Sequence, residues 1–193
     1  MIQNKKDYIR FLQVEQGYKK NYNFFFLYVK TAFKPTQRFL LLLRTCEYLK
    51  CKRKNPIYKS LYFTVKYLKY KLGLKLGFSI PENVVDEGFQ LPHYGTIVIN
   101  ANARIGKYCR MHVCVNIGAS GGGKAAPKIG DHVYFGPGVK VYGDIQIADR
   151  VAIAANAAVS KSCFETDVVL GGVPAKVIGK VDIQKIITSN KIN

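Results

Sequence analysis

Residues 129–160 read IGDHVYFGPGVKVYGDIQIADRVAIAANAAVS, and a large apolar residue recurs in them at every sixth position. The same spacing extends towards the N-terminus as far as Ile99. The residues that share it are Ile99, Ile105, Met111, Ile117, Ile129, Phe135, Val141, Ile147, Ile153 and Val159. A period of six fits neither the 3.6-residue period of an α-helix nor the alternation of a half-buried strand. It predicts a coil with three short sides, each of which turns one apolar residue inward.

Hexapeptide repeats of this kind predict a left-handed parallel β-helix, in which successive coils stack and pair with each other. We expect this prism over residues 79–164, with about five coils of about eighteen residues and a height of about 24 Å. The expected domains are an α-helical region over residues 1–78, the prism domain over residues 79–180 and a tail over residues 181–193. The predicted fold class is therefore mainly β, preceded by helices.

One interruption of the repeat is rich in glycine. Between Ile117 and Ile129 the segment ASGGGKAAPK, residues 119–128, contains three consecutive glycines, and such a run does not hold a strand. We expect an outward loop. Its backbone N–H groups could approach a developing oxyanion closely, because glycine has no side chain to block them; an ordinary exposed loop is the alternative.

A second interruption lies near the start of the repeat. Val85, Leu91 and Ile97 share one phase, and the register then slips by two residues to reach Ile99. His93 lies within this slip. We therefore expect its side chain to project from the prism and to be accessible to solvent.

The N-terminal region predicts helices over residues 4–30 and 36–76, with Pro35 and Pro56 as interruptions. We expect these helices to pack on or beside the prism. The second segment has a candidate apolar face, made of Leu61, Val65, Leu68 and Leu72.

Most of the positive charge belongs to this helical region. Residues 1–78 contain 18 lysine and arginine residues against 3 acidic residues, a net charge of +15 out of +18 for the whole chain. Such a surface could contact an anionic membrane, an anionic glycan or nucleic acid, or could consist of solvated helix faces. Nucleic acid ranks last, because no known nucleic-acid-binding motif accompanies the charge.

Two further features bear on the compartment. The longest apolar runs, Phe24–Val29 and Phe39–Leu43, are far shorter than the roughly 20 residues of a transmembrane helix. Residues 1–10 have basic residues without an apolar run behind them, unlike a signal peptide. We expect a cytoplasmic protein, with peripheral contact at the inner membrane face left open.

The five cysteines show no C-x-x-C spacing, so we expect small buried residues rather than disulfides or a zinc site.

Three stretches together resemble a known family: the run from Ile129 to Ser162, GGVPAKVIGK at residues 171–180, and LPHYGTIVIN around His93. They resemble the hexapeptide acyltransferases, specifically the serine acetyltransferase branch, over residues 79–180. The resemblance implies an O-acetyltransferase that uses acetyl-CoA, requires no metal and has His93 as its catalytic base. Histidine suits this role, because its pKa near neutrality lets it remove a hydroxyl proton.

The same resemblance implies a homotrimer with acetyl-CoA bound in the groove between neighbouring prisms. The residues that it places beside the cofactor are Ala119, Pro137, Ala155 and Lys176. Independently of the resemblance, the glycine-rich loop could offer N–H groups to the oxyanion or to the amides of the cofactor, and the residues concerned are Ser120, Gly121, Gly122 and Gly123.

Two positions depart from the serine acetyltransferase pattern. Ala126 stands before Pro127 where that branch has a second histidine, and Phe78 stands where it has the aspartate partner of the catalytic histidine. The pattern is closer to related enzymes that acetylate sugars, so we expect the acceptor to be a hydroxyl of a sugar or polysaccharide precursor. Serine O-acetylation for cysteine biosynthesis is the alternative, and a non-catalytic basic solenoid that binds nucleic acid is the alternative of another class.

The remaining histidines raise one more possibility. The γ-class carbonic anhydrases have this fold and hold zinc with three histidines, but His93, His112 and His132 lack that family's close histidine pair. We therefore expect His112 and His132 to be surface residues. For His93 we expect a backbone carbonyl or a residue of the basic helices, rather than Asp86 or Glu87, to hold the second imidazole nitrogen.

Overall fold

The computed structural model describes residues 1–17 and 24–187. The α-helices in these ranges are α1 (Lys5–Gln16), α2 (Phe24–Lys30), α3 (Pro35–Lys52) and α4 (Pro56–Leu76). Pro35 and Pro56 each occupy the first turn of a helix, where the missing N–H needs no partner. The predicted helix over residues 4–30 is interrupted at Gly17, which ends α1, and part of it lies outside the described residues.

Short strands follow the helices. They are β1 (Phe78–Ser79), β2 (Ile97–Ile99), β3 (Arg104–Ile105), β4 (Arg110–Met111), β5 (Val115–Gly118), β6 (Lys128–Ile129), β7 (Tyr134–Phe135), β8 (Lys140–Tyr142), β9 (Gln146–Ile147), β10 (Ala152–Ile153), β11 (Ala158–Val159), β12 (Val168–Gly172) and β13 (Ala175–Lys180). The ten apolar residues of the repeat are all buried, and each strand from β2 to β11 contains one of them.

The strands form the three faces of a prism. Face A contains β1, β2, β5, β8 and β11; face B contains β3, β6 and β9; face C contains β4, β7, β10 and β12, to which β13 adds antiparallel. All other paired strands are parallel and belong to successive coils. The predicted left-handed parallel β-helix is confirmed. We name its edges by the faces that they join: the A–B, B–C and C–A corners.

Pairing between coils fixes the register. Ile129 pairs with Ile147, three hexads further along the chain, whereas Ile105 pairs with Ile129, four hexads further along. The second coil therefore contains one extra hexad, and the glycine-rich segment is the predicted outward loop. Ile97 pairs with Val115, and both Ile97 and Ile99 point inward. The slip thus lies before Ile97 rather than between Ile97 and Ile99.

Helix α3 lies at the centre of the N-terminal region. Its residues Phe39, Leu40 and Leu43 belong to the same apolar core as the interior of the prism. On its other sides α3 packs against α1 and α4. The helices therefore cover the first coil of the prism, as expected.

A buried ionic cluster joins these helices to the first coil. The Arg44 guanidinium lies 2.7 Å from the Glu15 carboxylate and 3.0 Å from that of Glu47. It also donates hydrogen bonds to the carbonyl oxygens of Val85, at 2.9 Å, and Asp86, at 2.7 Å. All three ionic side chains are at most 1% exposed. Because removal of one partner would leave a buried charge unpaired, the cluster fixes how α1 and α3 sit on the prism.

The apolar face predicted for α4 is partly wrong. Val65 is buried and Leu72 is partly buried, but Leu61 and Leu68 are exposed. The buried side of the helix is centred on Tyr62 and Val65, so it is rotated away from the predicted face. Leucine at helical spacing does not by itself show which side of a helix is buried.

The cysteine prediction also holds only in part. Cys46, Cys109 and Cys163 are buried, whereas Cys51 and Cys114 are exposed, and all five are free thiols. Burial raises the pKa of the Cys46 and Cys109 thiols to about 12, so both stay protonated near neutral pH.

The tail begins with a 3₁₀ turn, Ile183–Lys185. Ile183 and Ile187 pack against Ala152 and Tyr134 on face C. Residues 188–193 lie outside the described residues. Among the described residues, no helix is long and apolar enough to span a membrane.

Candidate active site

The segment that contains His93 is hydrogen-bonded to the C-terminal end of α4. Gly95 donates its N–H to the carbonyl oxygen of Leu76, and Ile97 donates to that of Gly77, both at 2.9 Å. These contacts fix residues 92–96 as a tight turn at the C–A corner. The His93 side chain is exposed there, as predicted.

Gly77 shapes this turn from the helix side. It ends α4 in the left-handed conformation, with φ at 76°, and a Cβ atom added to it would lie 3.1 Å from backbone atoms of Gly95 and Thr96. We predict that Gly77→Ala costs about 1–2 kcal/mol of unfolding free energy and displaces the His93 turn enough to lower turnover about tenfold. Urea unfolding and steady-state kinetics measure the two effects.

Gly17→Ala is the matched control, because Gly17 also ends a helix in the left-handed conformation, with φ at 61°, but an added Cβ would meet no atom within 4 Å. It should lose comparable stability while keeping full turnover. Equal turnover in the two variants would show that Gly77 does not position the turn.

His112 is the residue that sequence reasoning missed. Its ring centroid lies 5.9 Å from that of His93, with the rings tilted by 43°, and 5.4 Å from that of Tyr134. His112 is only partly exposed, so it is not the free surface residue that was expected. The signal was the separation of the two histidines along the sequence, which is close to the length of one coil and therefore stacks them on the same corner.

Burial lowers the pKa of His112, and the neighbouring charges of Arg110 and His93 lower it further. The folded state thus binds this proton less tightly than the unfolded chain does. Stability is therefore retained above about pH 6.5, the ordinary histidine value, and falls as the pH drops below it. We predict that the wild type loses more unfolding free energy than His112→Gln when the pH is lowered from about 7.5 to about 5.5. Urea titrations at both pH values measure this difference, and equal losses would contradict the lowered pKa.

No carboxylate of the described residues orients His93. Phe78, at the position of the family's aspartate, is buried in the apolar core. Glu87 pairs with Arg10 and Lys107, away from the C–A corner. Within residues 1–17 and 24–187 the His93 imidazole has no hydrogen-bond partner, so the expected contact from a backbone carbonyl or a helix residue is not found.

His132 lies apart from the other two histidines. It turns the B–C corner in the left-handed conformation, with φ at 56°, and its ring stacks on that of Tyr108 at 5.1 Å. The three histidines therefore do not converge within one chain. In the described part of the chain, no group of three His, Cys, Asp or Glu side chains is placed to hold a metal ion.

The glycine-rich loop lies at the A–B corner, across face A from His93. A turn closes it, in which Gly123 donates its N–H to the Ser120 carbonyl oxygen at 3.0 Å, and Asn102 donates to the Lys124 carbonyl oxygen at 2.7 Å. Nothing lies within 4 Å of a Cβ atom built on Gly121 or Gly122. A ligand can therefore approach the loop backbone closely.

Three of the four residues expected beside the cofactor lie at two corners of the prism, and the fourth lies on β13. Pro137 and Ala155 are exposed on the C–A corner, one and two coils above His112. Lys176 is exposed on β13, paired with Gly171 of the last coil. Ala119 is at the opposite edge of face A, at the base of the loop.

Known proteins resemble this chain in sequence and in fold. Residues 126–161 match the family model described as bacterial transferase hexapeptide (six repeats). The prism thus contains a segment similar to the hexapeptide-repeat transferases. The chain also resembles the serine acetyltransferases: it is 38% identical over 102 residues to the serine acetyltransferase of Mycobacterium tuberculosis, covering 52% of this chain and 44% of that protein.

Two further similarities concern another acyltransferase and the three-dimensional fold. The chain is 32% identical over 96 residues to the UDP-3-O-acylglucosamine N-acyltransferase of Delftia acidovorans, covering 50% of this chain and 26% of that protein. The crystal structure of serine acetyltransferase in complex with coenzyme A from Brucella abortus strain S19 superposes with a TM-score of 0.63 at 22% identity, covering 92% of this chain and 67% of that one. This hexapeptide-repeat chain spans less than half the length of the two curated relatives.

Proposed function

We propose that this chain is an acetyl-CoA-dependent O-acetyltransferase in which His93 is the general base. One observation carries the proposal: the exposed imidazole stands in a turn fixed by the end of α4, on a prism similar to that of a serine acetyltransferase solved with coenzyme A. The proposed reaction uses acetyl-CoA as donor and needs no metal.

In this reaction the unprotonated imidazole of His93 accepts the proton of the acceptor hydroxyl while the oxygen attacks the thioester carbonyl carbon. The new C–O bond gives a tetrahedral intermediate, whose oxyanion can accept hydrogen bonds from the N–H groups of Gly121 and Gly122, while the N–H of Gly123 closes the loop turn. The C–S bond then breaks, and the thiolate takes the proton from the His93 imidazolium. The products are an acetyl ester and coenzyme A.

We infer that a homotrimer completes the site. The loop and His93 lie at opposite edges of face A, so one chain does not bring them together. In a threefold arrangement, the loop of one prism can face the C–A corner of its neighbour. Acetyl-CoA would then lie between prisms, beside Pro137 and Ala155 on one side and Ala119 on the other, with Lys176 near its phosphates.

Serine is the acceptor with the stronger support, because the relatives that match this chain include serine acetyltransferases from several bacteria. The sugar hydroxyl predicted from the sequence has less support. It stays as the second candidate on one observation: Ala126, at the position of the branch's second histidine, is buried in the core and offers no polar group to an amino acid.

The acceptor is tested by following release of the free thiol of coenzyme A with serine and with a panel of nucleotide sugars and oligosaccharides. Rapid turnover of serine would establish the first acceptor and exclude the sugar reading. Turnover of a sugar alone would reverse that order. Failure to bind coenzyme A, together with tight salt-dependent binding of nucleic acid, would instead favour a non-catalytic basic solenoid.

The proposed donor also implies a place in the cell. Acetyl-CoA made in metabolism is a cytoplasmic substrate, so we infer a cytoplasmic enzyme. A lipid-linked glycan acceptor would further require access to the inner membrane face.

A further inference from the structure

Helix α4 presents an apolar stripe to water on the side opposite its contact with α3. Phe63, Tyr67, Tyr70 and Leu74 follow one another at spacings of four, three and four residues, so they share one side of the helix. Their exposed fractions are 57%, 59%, 59% and 63%. We call these four residues the outer stripe. Exposed apolar patches of this kind mark sites of interaction.

Further aliphatic side chains are exposed on another side of α4. Ile57 is 69% exposed, Leu61 is 46% exposed and Leu68 is 37% exposed. They lie about 130° around the helix from the centre of the outer stripe. Two leucines that were predicted to be buried, Leu61 and Leu68, are thus part of the exposed surface of α4.

The charge around the outer stripe has a single sign. Helix α4 contains five lysines and no acidic residue. Lys69 pairs with Glu82 beneath the helix, but Lys59, Lys71 and Lys75 are exposed and have no ion-pair partner in the described part of the chain. Their ammonium groups are therefore available to an external anion.

A basic cavity adjoins the start of α4. Its volume is about 370 Å³, and its lining is Arg53, Lys54, Lys59, Tyr62 and Phe63. Because Phe63 also belongs to the outer stripe, the cavity and the stripe form one continuous surface. The exposed wall of the cavity is mainly apolar, formed by the two aromatic rings and the stems of the three basic side chains.

We propose that this surface docks the protein on an anionic lipid bilayer. Helix α4 lies in the plane of the membrane, its outer stripe enters the boundary between headgroups and acyl chains, and its lysines contact lipid phosphates. The three basic side chains at the start of α4 contact headgroup phosphates as well. The docking goes beyond acetyl transfer and does not depend on which acceptor the enzyme uses.

Other occupants fit this surface less well. A second copy of the same face would bring its unpaired lysines against identical lysines, which repel. Nucleic acid would match the charge, but it has no apolar phase for Leu74. A bilayer offers both negative charge and an apolar phase.

Co-sedimentation of the full chain with vesicles tests the proposal. We expect binding to phosphatidylcholine vesicles that contain phosphatidylglycerol, weak binding to pure phosphatidylcholine, and loss of binding at high salt. Tyr67→Ser combined with Leu74→Ser should weaken binding at least about tenfold. Lys59→Gln, Lys71→Gln and Lys75→Gln together should weaken it roughly a hundredfold.

The matched control is Phe164→Ser combined with Ile178→Ser, because these exposed apolar residues, at 74% and 64%, lie on the prism. It should bind like the wild type. The α4 variants change only exposed residues, and circular dichroism checks that they fold. Equal binding to both kinds of vesicle, or unchanged binding by both α4 variants, would overturn the proposal. Two other results would also overturn it. If light scattering shows a smaller assembly for the α4 variants than for the wild type, the face is a subunit contact. If nucleic acid competes with vesicles for the wild type and the α4 variants no longer bind nucleic acid, the face is a nucleic-acid site.

Discussion

His93→Ala is expected to lower turnover by at least about a hundredfold while the fold and coenzyme A binding are retained, the usual effect of removing a positioned general base. An alcohol is a poor nucleophile until its proton is being removed, and no described carboxylate near the C–A corner can take over that role. The side chain is exposed and makes no hydrogen bond to described residues, so its loss should leave stability nearly unchanged.

Steady-state kinetics and calorimetric titration with coenzyme A measure the two properties. His132→Ala is the control, because it removes the same side chain from the B–C corner, where the ring stacks on Tyr108. That variant should keep its activity. An active His93→Ala enzyme would remove His93 from the mechanism, whatever the acceptor is.

Ile153→Asp is expected to abolish the folded state. Ile153 is fully buried at the centre of the prism, and its strand pairs with the coils on both sides. An aspartate there would place an unpaired charge in an apolar core, at a cost of several kcal/mol, which is comparable to the whole stability of a domain. Ile129→Asp should act in the same way.

Circular dichroism and the fraction of soluble protein report the outcome. Lys128→Asp provides the contrast, because Lys128 is the other residue of β6 and faces solvent beside Ile129. It should fold and melt close to the wild type. A soluble Ile153→Asp variant with an ordinary melting transition would mean that the assigned register is wrong.

The fold could be predicted because the repeat encodes it locally. The apolar residue of each hexad indicates which side of the chain faces inward. Ten such residues in phase predict a triangular coil, and all ten are buried. The outward loop could also be predicted from the sequence, because three consecutive glycines do not continue a strand. The prediction of His93 as the catalytic base, which stays a prediction, came partly from the interrupted repeat and partly from family resemblance.

What escaped prediction depends on contacts between coils or between helices. His112 meets His93 because the first coil is slightly longer than a regular coil of three hexads, as the pairing of Phe78 with Ile97 shows. That length is set by how α4 holds the turn at residues 92–96. The buried side of α4 depends on the position of α3, and its leucines occur on both sides. Neither the contact between the two histidines nor the buried side of α4 can be predicted from the spacing of apolar residues within its own segment.

Parallel strands at the ends of a solenoid are natural templates for further strands, and a stack of prisms growing end to end would be a fibre. This chain blocks such growth differently at its two ends. Arg44 of α3 binds two backbone oxygens of the first coil, and the antiparallel strand β13 occupies the edge of the last coil on face C. The ionic cluster therefore also keeps the first coil from pairing with another chain, and its loss would expose that edge.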